Sequence, residues 1–132
     1  MTRYVTAVLD SQGLSALIEQ DRKVTPLIRR LQSAGTDLVV CTNTLVEVSH
    51  ARVNPAKLNR ALSAVKIEAV TAGAARAAAK LLKGVGLHGH EYAVDATVAE
   101  MALRQPGPVV MLTSDVEDMR ALCGDRVRLV AV

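Results

Sequence analysis

The sequence predicts an α/β fold, a compact sandwich in which helices cover both faces of a parallel sheet. Three observations carry that prediction. Short, largely apolar runs recur at 4–9, 37–42, 66–70, 109–113 and 127–132, as expected of strands buried on both faces. Segments with helical spacing stand between consecutive runs, which is the alternation that builds parallel sheets. No internal repeat, low-complexity tract or linker breaks the pattern, so one domain spanning residues 1–132 is expected.

The elements follow in order. "YVTAVL" (4–9) is the first strand, and "LSALIEQ" and "VTPLIRRLQSAG" then show helical spacing, with Gly35 as a stop signal. "DLVVCT" (37–42) is the second strand. "TLVEVSHA" reads as a short helix, and Pro55 opens another, "PAKLNRALSAV". "KIEAV" (66–70) is the third strand. "AGAARAAAKLLKGVG" is a strong helix by propensity, ended by Gly84 and Gly86. "EYAVDATVAEMALRQ" (91–105) is a further helix, stopped before Pro106. "VVMLT" is the fourth strand, "DVEDMRALC" a helix and "VRLVAV" the last strand.

Composition narrows the function. Half of the residues are apolar and 22% are charged, the balance of an ordinary globular chain. A chain of 132 residues can bury a core without disulfide or metal staples. No apolar run approaches the ~18 residues of a membrane span. "MTRYVTAVLDSQ" lacks the apolar core and cleavage site of a signal peptide, so the cytoplasm is the expected compartment. Cys41 and Cys123 read as buried thiols rather than a disulfide. The net charge is +3, with eleven Arg and five Lys. Arg suits phosphate or carboxylate recognition, though a genomic preference for Ala, Val and Arg explains the count equally. Tyr4 and Tyr92 are the only aromatic residues. A stacking platform for single-stranded bases needs aromatic faces, which this chain can hardly supply.

Four carboxylates stand out. Asp10 follows the first strand and Asp115 the fourth, and open parallel sheets gather function at the carboxyl ends of strands. Each also has a structural reading. Asp10 can cap the following helix. Ser114 and Glu117 form an S-x-x-E capping box, where Asp115 complements the helix dipole and Asp118 is solvated charge. Glu47 closes a T-x-x-E box with Thr44, yet its neighbours Leu45, Val46 and Val48 are apolar.

Asp95 is the most informative. It lies in mid-helix, where Asp is a poor helix former. It shares a face with Val98, Ala99 and Ala102, and no Lys or Arg stands at 91, 92, 98 or 99 to neutralise it. A buried carboxylate without a partner is costly, so Asp95 requires a distant Arg, a proton or a metal. Four acids at one edge of a sheet would raise one another's pKa, and a bound cation best explains such a cluster. An all-oxygen ligand set points to Mg²⁺ or Mn²⁺, an ion that makes water acidic enough to attack a phosphodiester.

With these residues in place, the chain resembles the PIN-domain ribonucleases, and especially the VapC-type toxins of bacterial toxin–antitoxin pairs. The resemblance covers essentially the whole length and rests on "VLDSQGLSALI", "TLVEV", "VDATVAEMA" and "VVMLTSDVEDMRAL", in that order. It implies a Rossmann-like, three-layer sandwich with strand order 3-2-1-4-5. It implies a Mg²⁺- or Mn²⁺-dependent endoribonuclease acting on single-stranded RNA, an acidic quartet on Asp10, Glu47, Asp95 and Asp115, and Asp118 at the edge of the site. The family's hydroxyl residue falls on Thr113 or Ser114. A small antitoxin chain and a homodimer are the implied partners.

Two departures from the family pattern stand beside this. Tyr92 occupies the position three before Asp95, where many relatives carry a small polar or acidic residue, with Glu91 one position earlier. Ser11 is followed by Gln12 and Gly13 instead of a Ser/Thr/Asn cluster. They allow a second reading, a PIN-like binding module that no longer turns over. His88 and His90 lack recognisable metal partners in sequence. His50 with Ser49 and Cys41 is a nucleophile triad on paper alone. Arg52 and Lys57 read as solvated rather than phosphate-binding. D-x-D after strand one, G-K-[ST], G-x-G-x-x-G and a late Lys are all absent, which removes other α/β enzymes.

Overall fold

The computed structural model describes residues 3–132. Five strands form one all-parallel sheet. β1 (Thr6–Leu9) is central between β2 (Asp37–Cys41) and β4 (Val109–Thr113), with β3 (Lys66–Glu68) and β5 (Arg128–Ala131) at the edges. The strand order is β3-β2-β1-β4-β5, as the resemblance implies.

Seven helices cover the sheet, and strand alternation decides what each meets. Ala7, Leu9, Leu38, Val40, Val110 and Leu112 point to one face. There they pack on α1 (Ser11–Glu19), α2 (Val24–Ser33), α3 (Thr42–Val48) and α4 (Pro55–Leu62), through residues such as Leu14, Ile18, Ile28, Val48 and Ala61. Val8, Val39, Cys41, Val109 and Met111 point to the other face. They meet α5 (Ala72–Val85), α6 (Gly89–Arg104) and α7 (Val116–Cys123) through Ala78, Leu82, Ala99, Met119 and Leu122. Cys41 and Cys123 are free, buried thiols, and burial pushes the Cys123 thiol up to about 11.

The departures from the sequence reading are local. β3 stops at Glu68 rather than residue 70, because the chain turns inward to let the Val70 N–H donate to Thr42 Oγ1 (3.1 Å). Gly84 does not end α5. The helix runs on to Val85, and Gly86 ends it in the left-handed conformation (φ +70°) that glycine adopts freely. α6 starts at Gly89, two residues early. Lys57 is exposed as expected, with its ammonium 3.5 Å from the likewise exposed Glu19 on α1. No helix of the described residues is long and apolar enough to cross a membrane.

Candidate functional site

The chain order reverses its direction across the sheet between β1 and β4, so the carboxyl ends of those strands lie side by side. Leu9 pairs with Leu112, and the next residues on each strand emerge at the same edge. Asp10 leaves β1 there, buried to 5% exposure. Its side chain both caps α1, accepting from the Gly13 N–H (2.9 Å), and bridges to the other strand, accepting from the Ser114 N–H (3.2 Å). Asp10 is therefore both the N-cap of α1 and a bridge between the ends of β1 and β4.

Gly13 explains the family departure at that position. A Cβ there would stand 2.9 Å from the carbonyl oxygen of Leu112, so α1 packs directly on the end of β4 and brings its first turn to Asp10.

Of the two hydroxyls, Thr113 is the engaged one. It is fully buried, and its Oγ1 accepts from the Asp115 N–H (2.9 Å), fixing the backbone that carries the fourth acid. Ser114 contributes its N–H to Asp10, while its side chain is exposed. Neither sequence capping box forms. Asp115, not Ser114, is the N-cap of α7 and makes no side-chain cap bond. α3 begins after Cys41, and Thr44 lies fully buried with its hydroxyl unpartnered.

The carboxylates sense one another. Partial burial first, and then Asp115, Asp118, Glu47 and Asp10, together raise Asp95 from an ordinary 3.8 to about 6. Glu47, largely exposed on α3, is raised by lost hydration and then by Asp10 and Asp115. Asp115 is raised by lost hydration, Asp10 and Asp118. None of the ion pairs among the described residues reaches Asp10, Glu47, Asp95, Asp115 or Asp118. Four widely separated stretches thus meet in one patch of uncompensated negative charge.

The clustered donors are all carboxylate oxygens, and that chemistry suits a hard divalent ion. The acids are not drawn into a clasp: among the described residues no three Asp, Glu, His or Cys side chains stand close enough to grip a metal. A hollow of about 790 Å³ lies elsewhere, lined by Ser15, Arg22, Leu27 and Val132, and none of the clustered carboxylates lines it.

Two contributors were invisible in the sequence. Asn43 Nδ2 donates to Thr97 Oγ1 (3.0 Å), which itself donates to the Val94 carbonyl (2.7 Å), tying α3 to α6. Both lie within a turn or so of a clustered acid, Asn43 before Glu47 and Thr97 after Asp95. Side chains 54 positions apart leave no local signature.

The sheet order and the helices on both faces define a PIN-like fold. A solved structure with this fold is that of VapBC2 from Rickettsia felis bound to a DNA fragment from their promoter. The match has a TM-score of 0.71 at 16% identity and covers 96% of this chain and 98% of that one. At that identity the likeness is one of fold. No family model matches the chain, and no curated protein matches it.

Proposed function

We propose that the protein is a divalent-metal-dependent endoribonuclease, the toxin of a VapC-type toxin–antitoxin pair, with residues 1–132 as a single PIN-like domain working in the cytoplasm. One observation carries the reading: Asp10, Glu47, Asp95 and Asp115 converge at the strand-reversal edge with no cation of the protein to balance them. The match to a VapBC2 complex supports the toxin–antitoxin assignment and a small antitoxin partner.

Each side chain has its part. Asp10, Asp95, Asp115 and Glu47 would hold Mg²⁺ or Mn²⁺, and Asp118 would extend the negative field from the edge of the site. Such an ion, when bound, supplies Lewis acidity toward water and toward a phosphodiester. Asp10 is pinned by two backbone N–H groups, so it is the preorganised member. Thr113 sets the backbone of Asp115. Outside the quartet, sixteen Lys and Arg face nine acids, a balance of +7 that favours approach of single-stranded RNA. A homodimer belongs to the same reading.

A second reading, a PIN-like module that binds partners without turnover, is allowed by Tyr92 three positions before Asp95 and by Gln12 and Gly13 after Ser11. Thermal melting in chelator and in Mn²⁺ separates the two. For the nuclease, Mn²⁺ at about 100 times its Kd stabilises the fold by about 2.7 kcal/mol, and Asp95→Asn responds much less. A wild-type midpoint unmoved by millimolar Mn²⁺ favours the binding module.

A further inference from the structure

The residue that breaks the family pattern lies on the helix that carries Asp95. Tyr92 is one turn before Asp95 on α6, so the two side chains share a helix face. It is half-buried, with one flank packed against the core formed by α5, α6 and α7. The other aromatic ring, Tyr4, packs in the opposite core before β1, at the far end of the strand that delivers Asp10. The two rings of the molecule are thus divided between the two ends of the sheet, and one of them faces the acids.

Glu91 above all, then Asp118, lost hydration and Asp95, raise the Tyr92 phenol above its ordinary value of 10. A neutral aromatic ring is the one feature of this negative patch that attracts a nucleobase without repelling its phosphate. The sequence composition argues against a platform of several rings, yet a single ring accommodates a single base.

We propose that Tyr92 is the base-stacking residue of the site, its π-face receiving one unpaired nucleobase beside the phosphate presented to the carboxylates. The inference rests on the nuclease reading and deepens it: the ligand is RNA with an unstacked base at the cleavage position. Stacking is indifferent to base identity, so Tyr92 selects single strands over duplexes rather than one sequence over another.

The test is equilibrium binding of short unstructured RNAs of randomised sequence, and of an abasic ribose–phosphate chain of the same length, in Mg²⁺. The protein carries Asp95→Asn so that no strand is cut, and cleavage by the chain with Asp95 intact is read in parallel. Against Tyr92, Tyr92→Leu should weaken RNA binding about tenfold. It should leave the abasic chain unaffected. Tyr92→Phe should stay within about twofold of Tyr92, because the ring and not the hydroxyl is at work. A residue needed only for packing would lower the melting midpoint and affect both ligands alike, and that result overturns the proposal. So does a Leu variant that binds RNA like Tyr92 while the intact chain cleaves, which leaves the nuclease reading standing. If the intact chain neither binds nor cleaves any RNA, the nuclease reading falls and the stacking role with it. Should Tyr92→Leu fail to fold, Tyr92→Met supplies the same comparison.

Discussion

Asp95 and Glu100 lie little more than one turn apart on α6, and the fold treats their charges oppositely. Glu100 is the more buried, at 8% exposure, and Arg104 one turn later donates to both of its oxygens, at 3.0 and 2.7 Å. Arg104 also approaches Glu68 at 3.9 Å, so this end of α6 is a closed network of paired charge. Asp95 is more exposed, has no cation, and meets only other carboxylates. Burial therefore does not mark the site. What marks it is the missing counter-charge, and it can be tested from both sides.

The largest effect is expected at the unpaired end. Asp95→Asn keeps the shape of the side chain and removes the charge. RNA cleavage should fall by at least about 100-fold, more than the loss typical of groups that merely support metal ligands. The metal-free fold should be as stable or more stable, because one repelling charge has gone. Full retained cleavage in a single-turnover assay would remove Asp95 from the machinery.

The opposite end should behave in reverse. Arg104→Met strands Glu100 as a buried charge without its partner. It should cost about 1–3 kcal/mol in urea unfolding, less than a fully buried pair because Arg104 is itself partly exposed. Mn²⁺ stabilisation should be unchanged. Adding Glu100→Gln should recover part of the loss. If Arg104→Met abolished the response to Mn²⁺, the two ends would be one system and the contrast would fail.

The contrast also has a pH signature. Asp95 holds its proton up to about pH 6 in the fold but only to about 3.8 when unfolded. Its ionisation therefore destabilises the metal-free fold above pH 6, and that penalty is relieved as pH falls from 6 toward 4. The relief amounts to about 1–2 kcal/mol once solvent screening of this half-exposed group is allowed for. Metal-free protein should gain stability on mild acidification, Asp95→Asn should gain less, and Mn²⁺ stabilisation should weaken over the same window as protons compete with the ion. Urea titrations at several pH values in chelator, and again in Mn²⁺, give both trends.

Much of this was legible in the sequence, and the reason is range. Short apolar runs and helical spacing are local patterns, so the parallel sheet and the order of elements could be read directly. Asp95 could be singled out because the rule it breaks concerns positions three and four away on its own helix. The Glu100–Arg104 pair is local in the same sense. The capping boxes were also local readings, and they failed because the helices start elsewhere, α3 after Cys41 and α7 after Asp115. Ser114 gives its N–H to Asp10, 104 positions away, and Thr113 takes the N–H of Asp115. Gly13 looked like a defect until the end of β4 was seen to occupy the space of its missing Cβ. Tyr92 looked like another, and only the fold shows which carboxylates surround it.

The smallest expected effect lies between the two ends of α6, at Thr97. Its hydroxyl links the Val94 carbonyl to Asn43, and Asn43 sits one turn before Glu47. Thr97→Val keeps the volume and β-branching while removing both bonds. The fold should lose about 0.5–1.5 kcal/mol, the ordinary net value of such bonds when solvent can partly replace them. The informative readout is the Mn²⁺ response rather than the stability itself. Glu47 rides on α3 and Asp95 on α6, so loosening the tie between those helices should weaken Mn²⁺ stabilisation, although no carboxylate has changed. Arg104→Met, which costs more stability but lies in the paired network, should leave that response intact. If Thr97→Val lowered the midpoint in chelator and in Mn²⁺ by the same amount, the α3–α6 tie would serve the fold alone, and the geometry of the acids would have to be set by Asp10 and Asp115 at the strand ends.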